Sequence, residues 1–269
     1  MFYAIFAAKM IEKRLFTCLL IACALCIGMT VWAFPPQAAW TFTLVLDAGH
    51  GGKDPGALGK TGKEKNINLA VTLAVGRLVE QNLKNVQVVY TRKTDVFVEL
   101  DERARIANKA KADLFVSIHT NALPNKKQGT GSETYTLGMH RAADNLAVAK
   151  RENAAIMLEN DYENRYEGFD PKSAESYIIF EFMQDKNMEQ SVKMATMIQQ
   201  EFHSAGRIDK GVHQAGFLVL RATSMPSCLI ELGYITTASE EAYLTSDRGV
   251  NELAMSIYQA IKKYQANWQ

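Results

Sequence analysis

Two periods of apolar and polar residues alternate along the chain. TFTLVLD (41–47) is apolar and β-branched and predicts a strand; the glycine-rich stretch 48–62 predicts a loop. From Glu64 the apolar positions Ile67, Ala70, Val71, Ala74, Val75 and Leu78 follow a helical spacing. VQVVYTR (86–92) predicts a second strand, Glu99 to Ala110 a helix with Leu100, Ala104 and Ala107 on one side, and DLFVSIHT (113–120) a third strand. SETYTLG (132–138), GFLVLR (216–221) and SCLIELG (227–233) predict three more strands, and two helices at about 238–246 and 249–264 close the chain. Strands alternating with helices predict an α/β fold. A single domain over 41–269 would hold a largely parallel, twisted sheet of about six strands flanked by helices.

One segment breaks this rhythm. Residues 141–158 read as helical, 159–176 as polar and irregular, and YIIFEFM (177–183) as strongly apolar, before another helix at about 189–205. Two readings fit an insertion over 141–188: a lid or regulatory element across the active-site edge, or a decorative subdomain with its own small core.

The N-terminus has a different character. Lys13-Arg14 precedes LFTCLLIACALCIGMTVWA (15–33), which carries no charge. A positive flank, an apolar centre and small residues near the end make a secretory signal over 1–33, with Val31–Ala33 and Gln37–Ala39 as cleavage sites. An uncleaved membrane anchor also fits, because the run approaches the roughly 20 residues that span a bilayer. Leu20–Cys23 resembles a lipoprotein box, but apolar residues continue past it, and Met10 would open a more typical signal than Met1. Residues 34–40 (FPPQAAW) read as a linker. The expected location is outside the cytoplasm, in the periplasm or cell envelope. Only Cys228 of the four cysteines lies beyond this segment, so no disulfide is expected within the exported body. A formal net charge of +1 lacks the basic excess of a nucleic-acid binder. No internal repeat and no appended wall-binding module is visible, and a monomer is expected.

Chemistry gathers at the predicted strand ends. His50 follows the first strand, His119 closes the third and Glu231 closes the last, while Glu64 opens the first helix on the same side. Ligands of open α/β sheets bind outside the carboxyl ends of the strands. Each residue has a structural alternative. Thr61 to Glu64 (TGKE) matches a capping box, His119 would serve as a satisfied core histidine, and Glu231 would pair with an arginine. Together, two histidines and a glutamate form a zinc set with one open position, and a further carboxylate supplies the proton transfers. Asp47 is either an orienting partner of His50 or a turn cap, and Asn121 either lines a substrate groove or caps the turn after the third strand. The glycines beside His50 would let backbone and substrate approach closely.

VLDAGHGGKDPGALG, KEKNINLAV, YTRKTD, ERARIANKAKADLFVSIHTNA and QAGFLVLRATSMPSCLIELGYIT, in this order across 41–265, resemble the zinc-dependent N-acetylmuramoyl-L-alanine amidases of the amidase-3 group. The resemblance implies cleavage of the amide between the lactyl group of N-acetylmuramic acid and L-alanine in peptidoglycan. It also implies Zn2+ on His50, Glu64 and His119, with Glu231 as the acid–base. Ala48 stands where the family often has proline, and Thr120 where alanine is common. Relatives from two-membraned bacteria carry a helical insert here that blocks the site until an activator protein binds. By that resemblance Glu152 or Glu159 would fill the open zinc position. Competing readings are a zinc peptidase acting within the stem peptide, a non-catalytic wall-binding protein and a zinc-stabilised structural domain. Closed structural zinc sites, often cysteine-rich, fit the last one poorly.

Overall fold

The structure is a computed structural model that describes Met10 and residues 41–268, apart from 125–126, 140–141, 182–185 and the side chain of residue 181. The predicted signal and linker therefore lie outside the described residues, except for Met10. The body forms a six-stranded sheet in the order β2-β1-β3-β6-β4-β5. Its strands are β1 (Phe42–Ala48), β2 (Val86–Tyr90), β3 (Leu114–Asn121), β4 (Ser132–Leu137), β5 (Asp209–Ala215) and β6 (Ser227–Tyr234). β1 pairs in parallel with β2 and β3, β3 with β6, and β4 with β5; only the β4–β6 pairing is antiparallel. The carboxyl ends of β1, β3 and β6 and the amino ends of β4 and β5 thus share one edge.

Every residue of β1, β3 and β6 is buried, as expected of strands covered on both faces. Leu44 and Leu46 of β1 point into one core with Val116, Ile118 and Ile230. Helices α1 (Glu64–Asn82), α5 (Met188–Ser204) and α8 (Asp247–Ala266) close that face through Val71, Val75, Ile198, Phe202, Ile257 and Ile261. Val45, Phe115 and Leu229 point the other way, into a second core shared with Leu100 and Ala107 of α2 (Leu100–Lys109).

The insertion supplies much of this second core. α3 (Ala143–Asn153) runs into a 3-10 turn (Ala154–Leu158), followed by α4 (Tyr162–Arg165) and a second 3-10 segment (Glu175–Glu181). Val148, Ile156, Tyr166, Phe169, Tyr177 and Phe180 pack in the same cluster as Phe115 and Leu229. The insertion is therefore built onto the sheet, without a separate core of its own.

GFLVLR, expected as a strand, folds differently. β5 uses the preceding polar residues, and 218–221 form the short helix α6 (Leu218–Arg221). Phe217, Leu218, Val219 and Leu220 are all buried, and a fully buried apolar run has no periodicity to separate strand from helix. The capping box offered as the structural alternative for Glu64 does not form. Helix α1 starts at Glu64 after Lys63, with no side-chain cap, and the Thr61 hydroxyl donates to Glu241 instead. α7 (Ala238–Leu244) and α8 replace the two expected closing helices with nearly the same bounds.

Candidate active site

β1 delivers His50 to the sheet edge through an unusual turn. His50 is in the left-handed region at φ 61°, and two buried arginines hold the carbonyls around it. Arg103 on α2 donates to Ala48 O (2.7 Å), His50 O (2.8 Å) and Asp47 Oδ1 (2.7 Å). Arg92, just beyond β2, donates to Ala48 O (2.9 Å) and Gly49 O (2.9 Å). Such backbone strain persists only where the surroundings over-determine it. Gly49 is needed for a different reason: a Cβ there would sit 2.4 Å from the His119 imidazole. That glycine makes room for the second histidine.

Asp47 does not touch the His50 ring. Its buried carboxylate accepts from Thr91 Oγ1 and Ser117 Oγ, both at 2.6 Å, and from Arg103. Burial alone would raise the Asp47 pKa, but Arg103 and the two hydroxyls outweigh it and lower it. The carboxylate that orients His50 is Asp54, whose Oδ2 lies 2.7 Å from Nδ1. Its signal was present in the sequence as an acid four residues after His50 in the same glycine-rich loop.

His50, Glu64, His119 and Glu152 converge with their ligand atoms within 4.8 Å of one another, and all four are buried. His50 Nε2 is 3.1 Å from Glu64 Oε1 and 3.0 Å from Glu152 Oε2; His119 Nδ1 is 3.2 Å and 2.9 Å from the same two oxygens. His119 Nδ1 nevertheless has no aligned hydrogen bond. His50 Nε2 does pair with Glu152 Oε2, but four ligand atoms converging on one point are disposed as metal ligands are, and a His/His/carboxylate set suits a divalent ion. Glu64 is fixed independently: Oε2 accepts from Ala57 N (2.7 Å), and Oε1 from Thr120 N (2.9 Å) and Asn68 Nδ2 (3.2 Å). Thr120 uses its backbone here, so the departure from alanine leaves this contact intact.

Carboxylates dominate the local electrostatics. At His50, burial opposes a charged ring, but Glu64, Asp54 and Glu152 outweigh it and push the pKa well above the ordinary histidine value. Burial also opposes charge on Glu152, yet Arg151 and His119 hold its pKa well below the usual range.

Glu231 lies beside this group. It sits directly opposite His119 across the β3–β6 pair and Glu133 across the β6–β4 pair. It is fully buried; Oε1 accepts from Arg151 Nη2 at 3.2 Å, and Oε2 has no hydrogen-bond partner. Burial first, then the nearby Glu152 charge, raises its pKa well above the ordinary carboxylate value, with Arg151 opposing. The four sequence-predicted residues thus meet at one edge.

The insertion enters the site through consecutive residues. Glu152 joins the cluster, Arg151 spans Glu152, Glu231, Asn121 Oδ1 (3.0 Å) and Ala122 O (2.8 Å), and Asn153 donates to Gly216 O (2.7 Å). A cavity of only about 10 Å³ remains beside the histidines. Glu159 points elsewhere: it caps α2 by accepting from Leu100 N (2.8 Å) and also accepts from the Tyr166 hydroxyl (2.9 Å). Asn121 donates to Glu133 Oε1 at 2.6 Å and lines a larger cavity next to Glu231.

Comparison with known proteins identifies the family. The family model described as N-acetylmuramoyl-L-alanine amidase, Amidase_3, matches residues 44–263. The amidase AmiC of Escherichia coli O6:H1 is 33% identical over 231 residues, covering 83% of this chain and 53% of AmiC. The chain therefore spans about half the length of that relative. An N-acetylmuramoyl-L-alanine amidase structure from Clostridium difficile 630 superposes with a TM-score of 0.64 at 28% identity, covering 86% of this chain and all of that one. The CwlD amidase from Clostridioides difficile, solved in complex with the GerS lipoprotein, gives 0.61 at 26% identity, covering 84% and 99%. The chain belongs to the N-acetylmuramoyl-L-alanine amidase family, Amidase_3.

Proposed function

We propose that this protein is a zinc-dependent amidase that cuts the bond between the lactyl group of N-acetylmuramic acid and L-alanine in peptidoglycan. The observation that carries the reading is the convergence of His50, Glu64 and His119 beside a buried, half-unpartnered Glu231. These three residues would hold the metal, and Asp54 keeps the His50 ring in place through Nδ1. Bound there, zinc supplies the Lewis acidity that polarises the scissile carbonyl. Glu231 Oε2 takes a proton from the attacking water and returns it to the leaving alanine nitrogen. The raised pKa of Glu231 suits a group that must both hold and release a proton.

The same reading makes 141–188 a regulatory element. Glu152 occupies the ligand position that substrate needs, and Arg151 ties up Glu231, so the described arrangement is the resting one. A protein partner would release it; the GerS complex of CwlD shows that a family member binds a lipoprotein. Peptidoglycan lies outside the cytoplasm, so the N-terminal segment would serve export. No helix among the described residues is long and apolar enough to cross a membrane.

The test is amine release from purified peptidoglycan by residues 34–269 and by the same protein carrying Glu152→Ala, each with zinc and with chelator. New L-alanine N-termini on otherwise intact glycan support the amidase. N-termini from within the stem peptide would reassign it as a peptidase, and silence in both forms would sink the hydrolase reading. Glu231→Gln should keep its zinc and lose about 10²- to 10⁴-fold in rate. Loss of metal together with activity would overturn the roles given to these residues.

A further inference from the structure

A cavity of about 800 Å³ lies between the loop after β3, strands β4 and β5, and one side of α3, and two of its lining residues, Glu133 and Arg151, adjoin Glu231. The order of groups along the edge gives it a place in the reaction. Moving across the sheet, β1 and β3 carry His50 and His119, β6 carries Glu231, and then come β4 and β5. Resting on the amidase reading, the carbonyl oxygen of the scissile amide faces the histidine side and its nitrogen faces Glu231. The chain attached to nitrogen therefore continues onto β4 and β5, into this cavity.

The lining has a definite charge character. Glu133 is satisfied internally by Asn121 Nδ2 (2.6 Å) and the Tyr234 hydroxyl (2.8 Å), with His213 Nε2 3.6 Å away. Arg151 is committed to Glu152 and Glu231. Lys127 and Lys210 have no ion pair among the described residues, and Lys210 Nζ rests 4.8 Å over the Tyr234 ring. Asp144 is the opposing charge, but it is carried by the insertion. Lys210 is carried by β5 and Lys127 by the loop after β3, both outside the insertion.

We infer that this cavity is the subsite for the peptide leaving group, and that Lys127 and Lys210 select a stem peptide bearing a free carboxylate on its second residue. A glycan strand whose lactyl groups are still amidated has no charge for these lysines to meet, whereas an acidic peptide matches them. Both lysines are exposed, so their replacement leaves the fold intact.

The experiment is calorimetric titration of zinc-loaded Glu152→Ala protein with two tripeptides, L-Ala-D-isoglutamyl-L-Lys and L-Ala-D-isoglutaminyl-L-Lys. The acid form is expected to bind about five- to tenfold more tightly, and K127A/K210A to abolish the difference. A charge-reversing K127E/K210E pair should invert the preference. Equal affinities for the two peptides, an unchanged preference in K127A/K210A, or binding of glycan but neither peptide would overturn the proposal. Because binding is read without turnover, these outcomes are separable from the wall-hydrolysis test. A protein that releases L-alanine N-termini but shows no charge preference keeps the amidase reading and loses this one.

Discussion

Arg103 shows how one side chain can hold both fold and site. It is among the largest fully buried side chains, and its guanidinium neutralises Asp47 while gripping the carbonyls of Ala48 and His50. Replacing it with methionine leaves the buried Asp47 charge unpaired, a change that costs about 3–5 kcal/mol. Chemical denaturation of the Arg103→Met protein should show that loss, and weaker metal retention with it. A cost under ~1 kcal/mol would mean that Asp47 is held by Thr91 and Ser117 alone. The sign of the pH dependence follows from the lowered Asp47 pKa. Its stabilising contribution is present above the unfolded value near ~3.9 and is lost as pH falls through the lower folded one. Cys228 makes a simpler forecast. Burial pushes its thiol up to about 12, so a thiol reagent should label it only after unfolding. Prompt labelling of native protein would contradict its burial.

At the scale of elements, the insertion proposed as a plug is also part of the core. Glu152→Ala removes the carboxylate that sits between His50 and His119, and basal wall hydrolysis should rise by at least an order of magnitude. An unchanged rate in the folded variant would refute the blocking role. Deleting about 150–188 is a different experiment. It removes Ile156, Tyr166, Phe169, Tyr177 and Phe180 from the core on the second face of the sheet. Each buried aromatic or aliphatic side chain contributes roughly 1.5–3 kcal/mol, so their joint loss is comparable to the whole stability of an ordinary domain. The deleted protein should lose cooperative thermal unfolding, and a sharp melt near that of the intact chain would contradict this. The insertion is also held at the start of α2. There Arg165 meets Glu99 Oε2 (2.7 Å) and Asp101 Oδ1 (2.6 Å), and Glu159 caps Leu100. Glu99, Asp101 and Glu159, three acids that come close together there, are thus answered by Arg165.

For the molecule as a whole, much was legible from pattern alone. Strands β1, β3 and β6 announce themselves as apolar runs because helices cover both faces of the sheet. Helix α1 was legible because one stripe of it, Ile67, Val71 and Val75, meets the core. The placement of His50, His119 and Glu231 followed once three parallel strands were laid side by side. β5 escaped notice because DKGVHQA is a half-exposed edge strand with little apolar signal, while the greasier residues after it turned helical.

What the sequence determined by itself is the set of local periodicities, the ordered motifs and the residue types that form the site. These are properties of short stretches, governed by burial on one face or two and by turn chemistry. The tertiary structure decided which distant groups meet. It chose Asp54 over Asp47 as the His50 partner, joined Glu152 rather than Glu159 to the histidines, reversed β4 and β5, and packed the insertion's aromatics against the sheet. Such choices depend on contacts between residues far apart in the chain. They are settled when the whole core closes and each buried charge finds its counter-charge.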